Sequence, residues 1–123
     1  MSDYFSTPSN ETRNTMAGLY KVIELFGMMP QTYQAAFLTI AADPGHSVDF
    51  YAKRLNVTPS IMSRRLIDLT NQPCRSRKPG GHDLIESRRD PLDRRLVQIF
   101  LTPKGKALAT RLERLVARQY MES

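Results

Sequence analysis

Six charged side chains surround a predicted turn in the second half of the chain, and they are Arg88, Arg89, Asp90, Asp93, Arg94 and Arg95. Arginine binds phosphate oxygens and the edge of guanine through paired hydrogen bonds from its planar guanidinium group. Asp93 precedes Arg95 by two residues, so its carboxylate can hold that guanidinium extended through a bidentate pair. A surface ion pair that contributes under about 1 kcal/mol would fit the same spacing. The cluster predicts contact with a polyanion, in which Arg95 is the reader or backbone anchor and the other arginines bind phosphate.

The charge of the whole chain is concentrated in the same region. The net charge is +6, but residues 53–106 contain 13 basic and 5 acidic side chains, whereas the remainder contains 5 basic and 7 acidic ones. Solubility alone would spread charge over the sequence. The asymmetry therefore favours a polyanionic partner, and nucleic acid is the commonest one.

A helix that could carry base contacts begins at Thr58-Pro59, a capping residue followed by the residue best suited to the first helical position. Its apolar residues Met62, Leu66 and Leu69 recur at helical spacing and predict a buried stripe. The polar positions off this stripe are the predicted DNA contacts, and they are Thr58, Pro59, Ser60, Ser63, Arg64 and Arg65. Arg64 is the strongest candidate for guanine. Arg65 is expected to clamp a phosphate, and each serine fits a base, a phosphate or solvent equally well.

A second short helix is predicted just before this one, starting at the capping residue Ser47 and ending near Leu55. Asn56 tolerates the left-handed conformation that the connecting turn needs, and Ala52 is small enough for the inside of a tight corner. Two helices joined in this way predict a helix-turn-helix.

The remaining elements are predicted from spacing and turn chemistry. Residues 1–14 are predicted to be a flexible arm, and helices are expected over about 16–26 and 31–42. The arginine-rich turn joins two short strands, and Thr102-Pro103 begins a final helix. The predicted fold is mainly α with a small β-hairpin, that is, a winged helix-turn-helix in which the hairpin is the wing.

The wing and the start of the final helix resemble a known family. The run Asp93-Arg94-Arg95, with Leu101-Thr102-Pro103-Lys104-Gly105 after it, is similar to the wing signature of the MarR (multiple antibiotic resistance regulator) family. The resemblance implies a homodimeric transcriptional regulator of double-stranded DNA, commonly a repressor, with the recognition helix in the major groove and the wing at the minor groove. It also implies a single domain over 15–123, a DNA-binding lobe over 47–101, and dimerisation helices over 15–28 and 103–121.

One segment departs from the family pattern, because the family passes from recognition helix to wing in a few residues and this chain has a longer loop over 71–83. Arg75, Arg77 and Lys78 in this loop are predicted phosphate contacts, although binding to a protein partner or plain solvation would also account for them. An alternative function is therefore a winged-helix module that binds a component of the transcription or replication machinery.

Other chemistry finds little support in the sequence. Cys74 is expected to be an inert thiol, and His46 and His82 lack partners at metal-ligand spacing, so neither metal nor cofactor is predicted. No nucleophile–base pair or phosphate-binding glycine loop is present, and the chain is not expected to be an enzyme. The sequence is also compatible with binding of a small-molecule effector. No membrane segment or signal peptide is predicted, and the expected location is cytoplasmic.

Overall fold

The computed structural model describes residues 7–71 and 82–122. Five helices and two strands make up these residues: α1 (Asn10–Phe26), α2 (Gln31–Ala42), α3 (Val48–Leu55), α4 (Pro59–Leu69), β1 (Ile85–Arg89), β2 (Val97–Leu101) and α5 (Pro103–Glu122). The predicted class, mainly α with one small hairpin, is confirmed.

The chain folds into two compact units. The larger one spans Met28–Ala109 and contains α2, α3, α4 and both strands. The smaller one is formed by the described parts of Met1–Gly27 and Thr110–Ser123, and so combines α1 with the C-terminal part of α5. The predicted DNA contacts that the structure describes all belong to the larger unit.

The helix-turn-helix is built from local signals. The Ser47 hydroxyl accepts a hydrogen bond from the Phe50 amide at 3.3 Å and caps α3. Asn56 ends α3 with φ 56° and ψ 46°, the left-handed conformation that asparagine tolerates better than most residues. Ala52 is 1% exposed, because α3 and α4 pack closely at this corner. The predicted roles of all three residues are confirmed.

The core of the larger unit lies beneath this corner. Helix α2 packs against α3, α4 and β2, and it contributes three buried residues, Ala36, Phe37 and Ile40. The predicted stripe on α4 is buried as well, with Met62, Leu66 and Leu69 at most 4% exposed. Burial of side chains of this size stabilises a fold by about 1.5–3 kcal/mol each, so this layer fixes which face of α4 remains outside.

The hairpin pairs β1 and β2 in antiparallel register, from Ile85 opposite Leu101 to Arg89 opposite Val97. A single bridge between His46 and Ile99 adds a third short segment beside β2. The residues that lead into β1 are bonded to the end of α4, since the Leu84 amide donates to the Leu69 carbonyl at 2.8 Å and the Asp83 amide to the Thr70 carbonyl at 3.1 Å. These bonds satisfy carbonyls that a helix end leaves unpaired, and they attach the hairpin to α4.

The prediction of a flexible arm over 1–14 is wrong for its last five residues, because α1 begins at Asn10. The Ser9 hydroxyl accepts a hydrogen bond from the Thr12 amide at 3.1 Å and caps the helix. Glu11 in the first turn interacts favourably with the helix dipole. The first apolar residue, Met16, therefore marked the start of the apolar face and not the start of the helix.

Candidate nucleic-acid interface

The outer face of α4 carries the side chains predicted to contact DNA. Ser60, Ser63 and Arg64 are exposed, whereas Arg65 is half-buried, as expected for a side chain nearer the core. Neither Arg64 nor Arg65 makes a hydrogen bond or ion pair with any residue that the structure describes. Both guanidinium groups are therefore available to an external acceptor.

Thr58 and Pro59 are exposed as well, but they also stabilise the start of α4. The Thr58 hydroxyl accepts a hydrogen bond from the Ile61 amide at 3.2 Å, and Pro59 occupies the first helical turn. An N-cap of this type stabilises a helix by about 0.5–2 kcal/mol. The predicted contribution of these two residues to DNA binding remains a prediction.

The tip of the wing is organised by two aspartates. The Asp90 carboxylate accepts hydrogen bonds from the amides of Leu92 at 2.7 Å and Asp93 at 3.3 Å. The Asp93 carboxylate in turn accepts from the Arg95 amide at 3.1 Å. Aspartates that bond to backbone amides two or three residues ahead are typical of tight turns. They fix the backbone from which Arg94 and Arg95 extend.

Asp93 also contacts the Arg95 side chain, but differently from the prediction. The contact is a single one, from Nε of Arg95 to Oδ1 of Asp93 at 3.5 Å, and not a bidentate pair. Both residues lie in the turn before β2, which begins at Val97, so they do not share the face of a strand as predicted. The Asp93 oxygen is already used by the backbone amide. The Arg95 side chain is 93% exposed and can reorient toward a ligand.

The arginines of β1 are held by the wing itself. Arg88 donates from Nη2 to Oε1 of Glu86 at 2.7 Å, and its guanidinium lies 4.6 Å from the centre of the Phe100 ring. Arg89 donates from Nη1 to the Arg94 carbonyl at 2.8 Å and closes the turn. Both remain exposed at the surface, so phosphate contact stays a prediction for each. Arg94 differs from them, because its guanidinium has no partner among the described residues.

The Leu-Thr-x-x-Gly part of the wing signature joins the hairpin to α5. The buried Thr102 donates its hydroxyl to the Asp83 carbonyl at 2.7 Å and accepts from the Gly105 amide at 3.0 Å. The Thr102 amide donates to the Leu84 carbonyl at 3.1 Å. A β-carbon on Gly105 would lie 2.0 Å from that same carbonyl oxygen. The glycine is needed here for close approach of two backbones.

A buried tyrosine fixes the turn before α3. The hydroxyl of Tyr51 donates to the Asp43 carbonyl at 2.8 Å and accepts from the His46 amide at 3.1 Å. Burial raises the pKa of Tyr51 above its ordinary value, against the opposing effect of the His46 hydrogen bond, so the hydroxyl keeps its proton at neutral pH. The tyrosine thereby holds the residues next to β2 against the helix-turn-helix.

Around the same turn, the Asp43 carboxylate contacts two side chains. The Asp43 carboxylate contacts the His46 ring at 3.1 Å and the Arg54 guanidinium at 3.6 Å. Arg54 also lies 4.7 Å from the centre of the Phe50 ring. Arg54 is thus partly engaged, although it belongs to the basic region of the sequence.

Sequence reasoning missed two features of this surface. The hydroxyl of Tyr33 in α2 donates to the Asp68 carboxylate in the last turn of α4, a pair that no local spacing indicates. Two large apolar residues of α4, Ile61 and Ile67, are 45% and 48% exposed beside the predicted contacts. The signal for these two residues is their spacing of three residues on either side of Arg64, which makes them its neighbours on the helix surface.

The loop candidates Arg75, Arg77 and Lys78, and also Cys74, lie outside the described residues. Four aromatic residues recur at helical spacing in α1 and α2, where the sequence favours a place in the core over a place in a ligand pocket: Phe26 and Phe37 are buried, Tyr33 is bonded to Asp68, and Tyr20 is 61% exposed. In the described parts of the chain, no helix combines the length and apolar character that a membrane span requires.

Comparison with known proteins places this geometry in a structural class. No protein-family model matches the sequence, and no curated protein is similar to it. Solved structures do match. FabT of Streptococcus pneumoniae, in complex with DNA, aligns with a TM-score of 0.64 and 19% identity over 90% of this chain and 73% of FabT. This is the MarR-type winged-helix fold.

Two further structures of this MarR-type fold are similar over most of the chain. The repressor CouR, bound to a DNA duplex, has a TM-score of 0.55 and 22% identity, and the match covers 90% of this chain and 72% of CouR. PcaV of Streptomyces coelicolor, in complex with its natural ligand, has a TM-score of 0.55 and 20% identity over 98% of this chain and 79% of PcaV. The predicted resemblance is confirmed at the level of the fold.

Proposed function

We propose that this chain is a sequence-specific regulator of transcription that binds double-stranded DNA as a homodimer and acts as a repressor. The observation that carries the proposal is the arrangement of exposed arginines within one unit, of which Arg64 and Arg94 have no partner among the described residues and Arg95 has only its contact with Asp93. Arg64 lies on the outer face of α4, and Arg94 and Arg95 lie at the tip of a hairpin whose first residues bond to the end of that helix. The likeness to the DNA-bound FabT and CouR structures supports the same function.

Each group has a role that follows from its position. A helix of this type presents the side chains of its first turns to the major groove, where the Arg64 guanidinium fits O6 and N7 of guanine. Ser60 and Ser63 supply neutral donors and acceptors on the same face. Arg95 would contact the minor groove or its backbone, and Arg94 would contact phosphate. Arg65 lies nearer the core side of α4 than Arg64, so it would bind phosphate and would not contact base edges.

Because Arg64 is proposed to contact a base and Arg65 a phosphate, their substitutions are expected to have different effects. After selection of bound fragments from random DNA, Arg64→Ala is expected to weaken binding to the best duplex by about 1–3 kcal/mol and to lose preference at one base pair. Arg65→Ala and Arg95→Ala are expected to weaken binding to all duplexes alike. Titration of each variant against duplexes that differ at single base pairs measures both effects.

Arg65→Ala is the matched control, because it removes the same charge from the same helix. Equal affinities of wild type, Arg64→Ala and Arg95→Ala for every duplex would contradict the proposed contacts. An acidic protein partner would then become the better explanation of the basic surface.

The dimer is proposed from an apolar stripe on α1. Met16, Leu19, Tyr20 and Ile23 recur at helical spacing and are 52–62% exposed. Two other residues of the same helix, Gly18 and Phe26, are buried. An exposed apolar stripe of this size is typical of a helix that packs against a partner chain. The interface would include the C-terminal helix, as the predicted dimerisation helices imply.

Sedimentation equilibrium is expected to give the mass of two chains for the wild-type protein. Ile23→Glu places a charge in the centre of the stripe and is expected to shift the mass to that of one chain at micromolar concentration, because an unpaired buried charge costs several kcal/mol. Ala17→Glu, an exposed position off the stripe, is the control and is expected to stay dimeric. A monomeric wild type, or a dimeric Ile23→Glu variant, would exclude this interface.

A further inference from the structure

Two isoleucines on the outer face of α4 are about half exposed and belong to none of the contacts proposed so far. Ile61 is 45% exposed and Ile67 is 48% exposed, whereas Met62, Leu66 and Leu69 of the same helix are at most 4% exposed. Isolated apolar residues are common on protein surfaces and need no explanation by themselves. Their position is what distinguishes these two. Ile61 precedes Arg64 by three residues and Ile67 follows it by three, so both are its neighbours on the helix surface.

Ile61 lies in the part of the helix that enters a groove first. It is the third helical residue, and its amide donates to the Thr58 hydroxyl at 3.2 Å, which fixes the backbone of the first turn. A β-branched side chain in a helix adopts essentially one χ1 rotamer. Ile61 therefore presents a rigid apolar surface that loses little conformational entropy when it is covered.

The chemistry of the major groove offers one partner for such a surface. Every base pair presents hydrogen-bond donors and acceptors there, but only thymine presents an apolar group, its 5-methyl. An isoleucine next to any other base edge would cover polar atoms without bonding to them, which is unfavourable. Exposed serines and an arginine at the surrounding positions can bind the polar edges, so the apolar side chains complement them.

We propose that Ile61 reads the 5-methyl group of a thymine next to the guanine that Arg64 contacts. Ile67, about one turn beyond Arg64, would cover the groove on the other side of that arginine. This inference rests on the proposed function and deepens it, since it names a base and an atom that the recognition helix selects. It assigns to Ile61 a contribution to specificity that is independent of charge.

The test removes the methyl group from the DNA and the side chain from the protein, separately and together. Thymines of the selected duplex are replaced one at a time by deoxyuridine, which retains every hydrogen-bonding group of thymine. At one position the wild-type affinity is expected to fall about fourfold, as for the loss of one buried methyl group. Ile61→Ala is expected to bind the thymine and uracil duplexes equally, and both more weakly than the wild type binds the thymine duplex.

Ile67→Ala is the matched control, since it removes an equally exposed isoleucine from the same face. It is expected to keep the full sensitivity to uracil at the position that Ile61 reads. If wild type and Ile61→Ala show the same sensitivity to uracil at every position, Ile61 does not read a methyl group, while DNA binding itself stands. If the wild type binds no duplex DNA at low salt, the proposed function fails and this inference fails with it.

Discussion

Duplex DNA bound at 50 mM salt is expected to be released on transfer to 200 mM salt, with a loss of affinity of about a thousandfold. The reason is that arginines which neutralise phosphates release condensed counterions, and the release becomes less favourable as salt rises. On α4 and the tip of the wing, each chain offers Arg64, Arg65 and Arg94, which have no partner among the described residues, and Arg95, which is 93% exposed and pairs only with Asp93. If about six of the arginines in a dimer neutralise phosphates, the slope of log K against log salt is about −5.

Fluorescence anisotropy of a labelled duplex at four or more salt concentrations measures this slope. Arg95→Ala removes one phosphate contact from each chain, and it is expected to reduce the magnitude of the slope of log K against log salt by about 2. A slope near zero, or one that Arg95→Ala leaves unchanged, would show that the wing arginines do not contact the DNA backbone. The free side chain at the wing tip would then serve another partner.

Replacement of Gly105 by alanine is expected to lower the free energy of unfolding by about 3 kcal/mol, at the upper end of the usual cost of overpacking. The added β-carbon would lie 2.0 Å from the Leu84 carbonyl oxygen and 3.0 Å from its carbon. That carbonyl cannot move freely, because it accepts from the Thr102 amide, and the Leu84 amide is bonded to the end of α4. The variant must separate α5 from the start of the wing, and loss of DNA binding is expected to accompany the loss of stability.

Urea unfolding followed by circular dichroism, at one fixed protein concentration, gives the change in midpoint. Lys106→Ala, the next residue along the same helix, is exposed and is expected to change stability by less than about 0.5 kcal/mol. A Gly105→Ala variant as stable as Lys106→Ala would show that the backbones of α5 and the β1 entry do not approach each other this closely.

These two expectations are connected through the placement of the wing. The segment before β1 bonds to the carbonyls at the end of α4, and Thr102 and Gly105 bind the same segment from the other side. The hairpin is therefore held between α4 and the start of α5 by these contacts, most of them between backbone atoms. Such contacts explain how an Asp-x-Arg tip and a Leu-Thr-x-x-Gly sequence can act together although they are separated along the chain.

The sequence by itself determined the elements whose causes are local. Ser47, Asn56 and Thr58-Pro59 fix the ends of α3 and α4 through caps and backbone conformation, and these interactions span only a few residues. The stripe of Met62, Leu66 and Leu69 then decides the outer face of α4, because helical periodicity alone sets which side chains share a face. The helix-turn-helix, the hairpin and the Arg64 candidate all result from such short-range rules.

Only the tertiary structure decided which arginines of the wing are free. Glu86 and Phe100 face each other across the hairpin register, and Arg88 lies on the same side of β1, so its guanidinium is held there. Arg89 is occupied by a backbone carbonyl, which leaves Arg94 and Arg95. The requirement for glycine at position 105 is of the same kind, because it comes from a carbonyl 21 residues earlier in the chain. Contacts between residues distant in sequence depend on register and packing, and composition or spacing does not encode them locally.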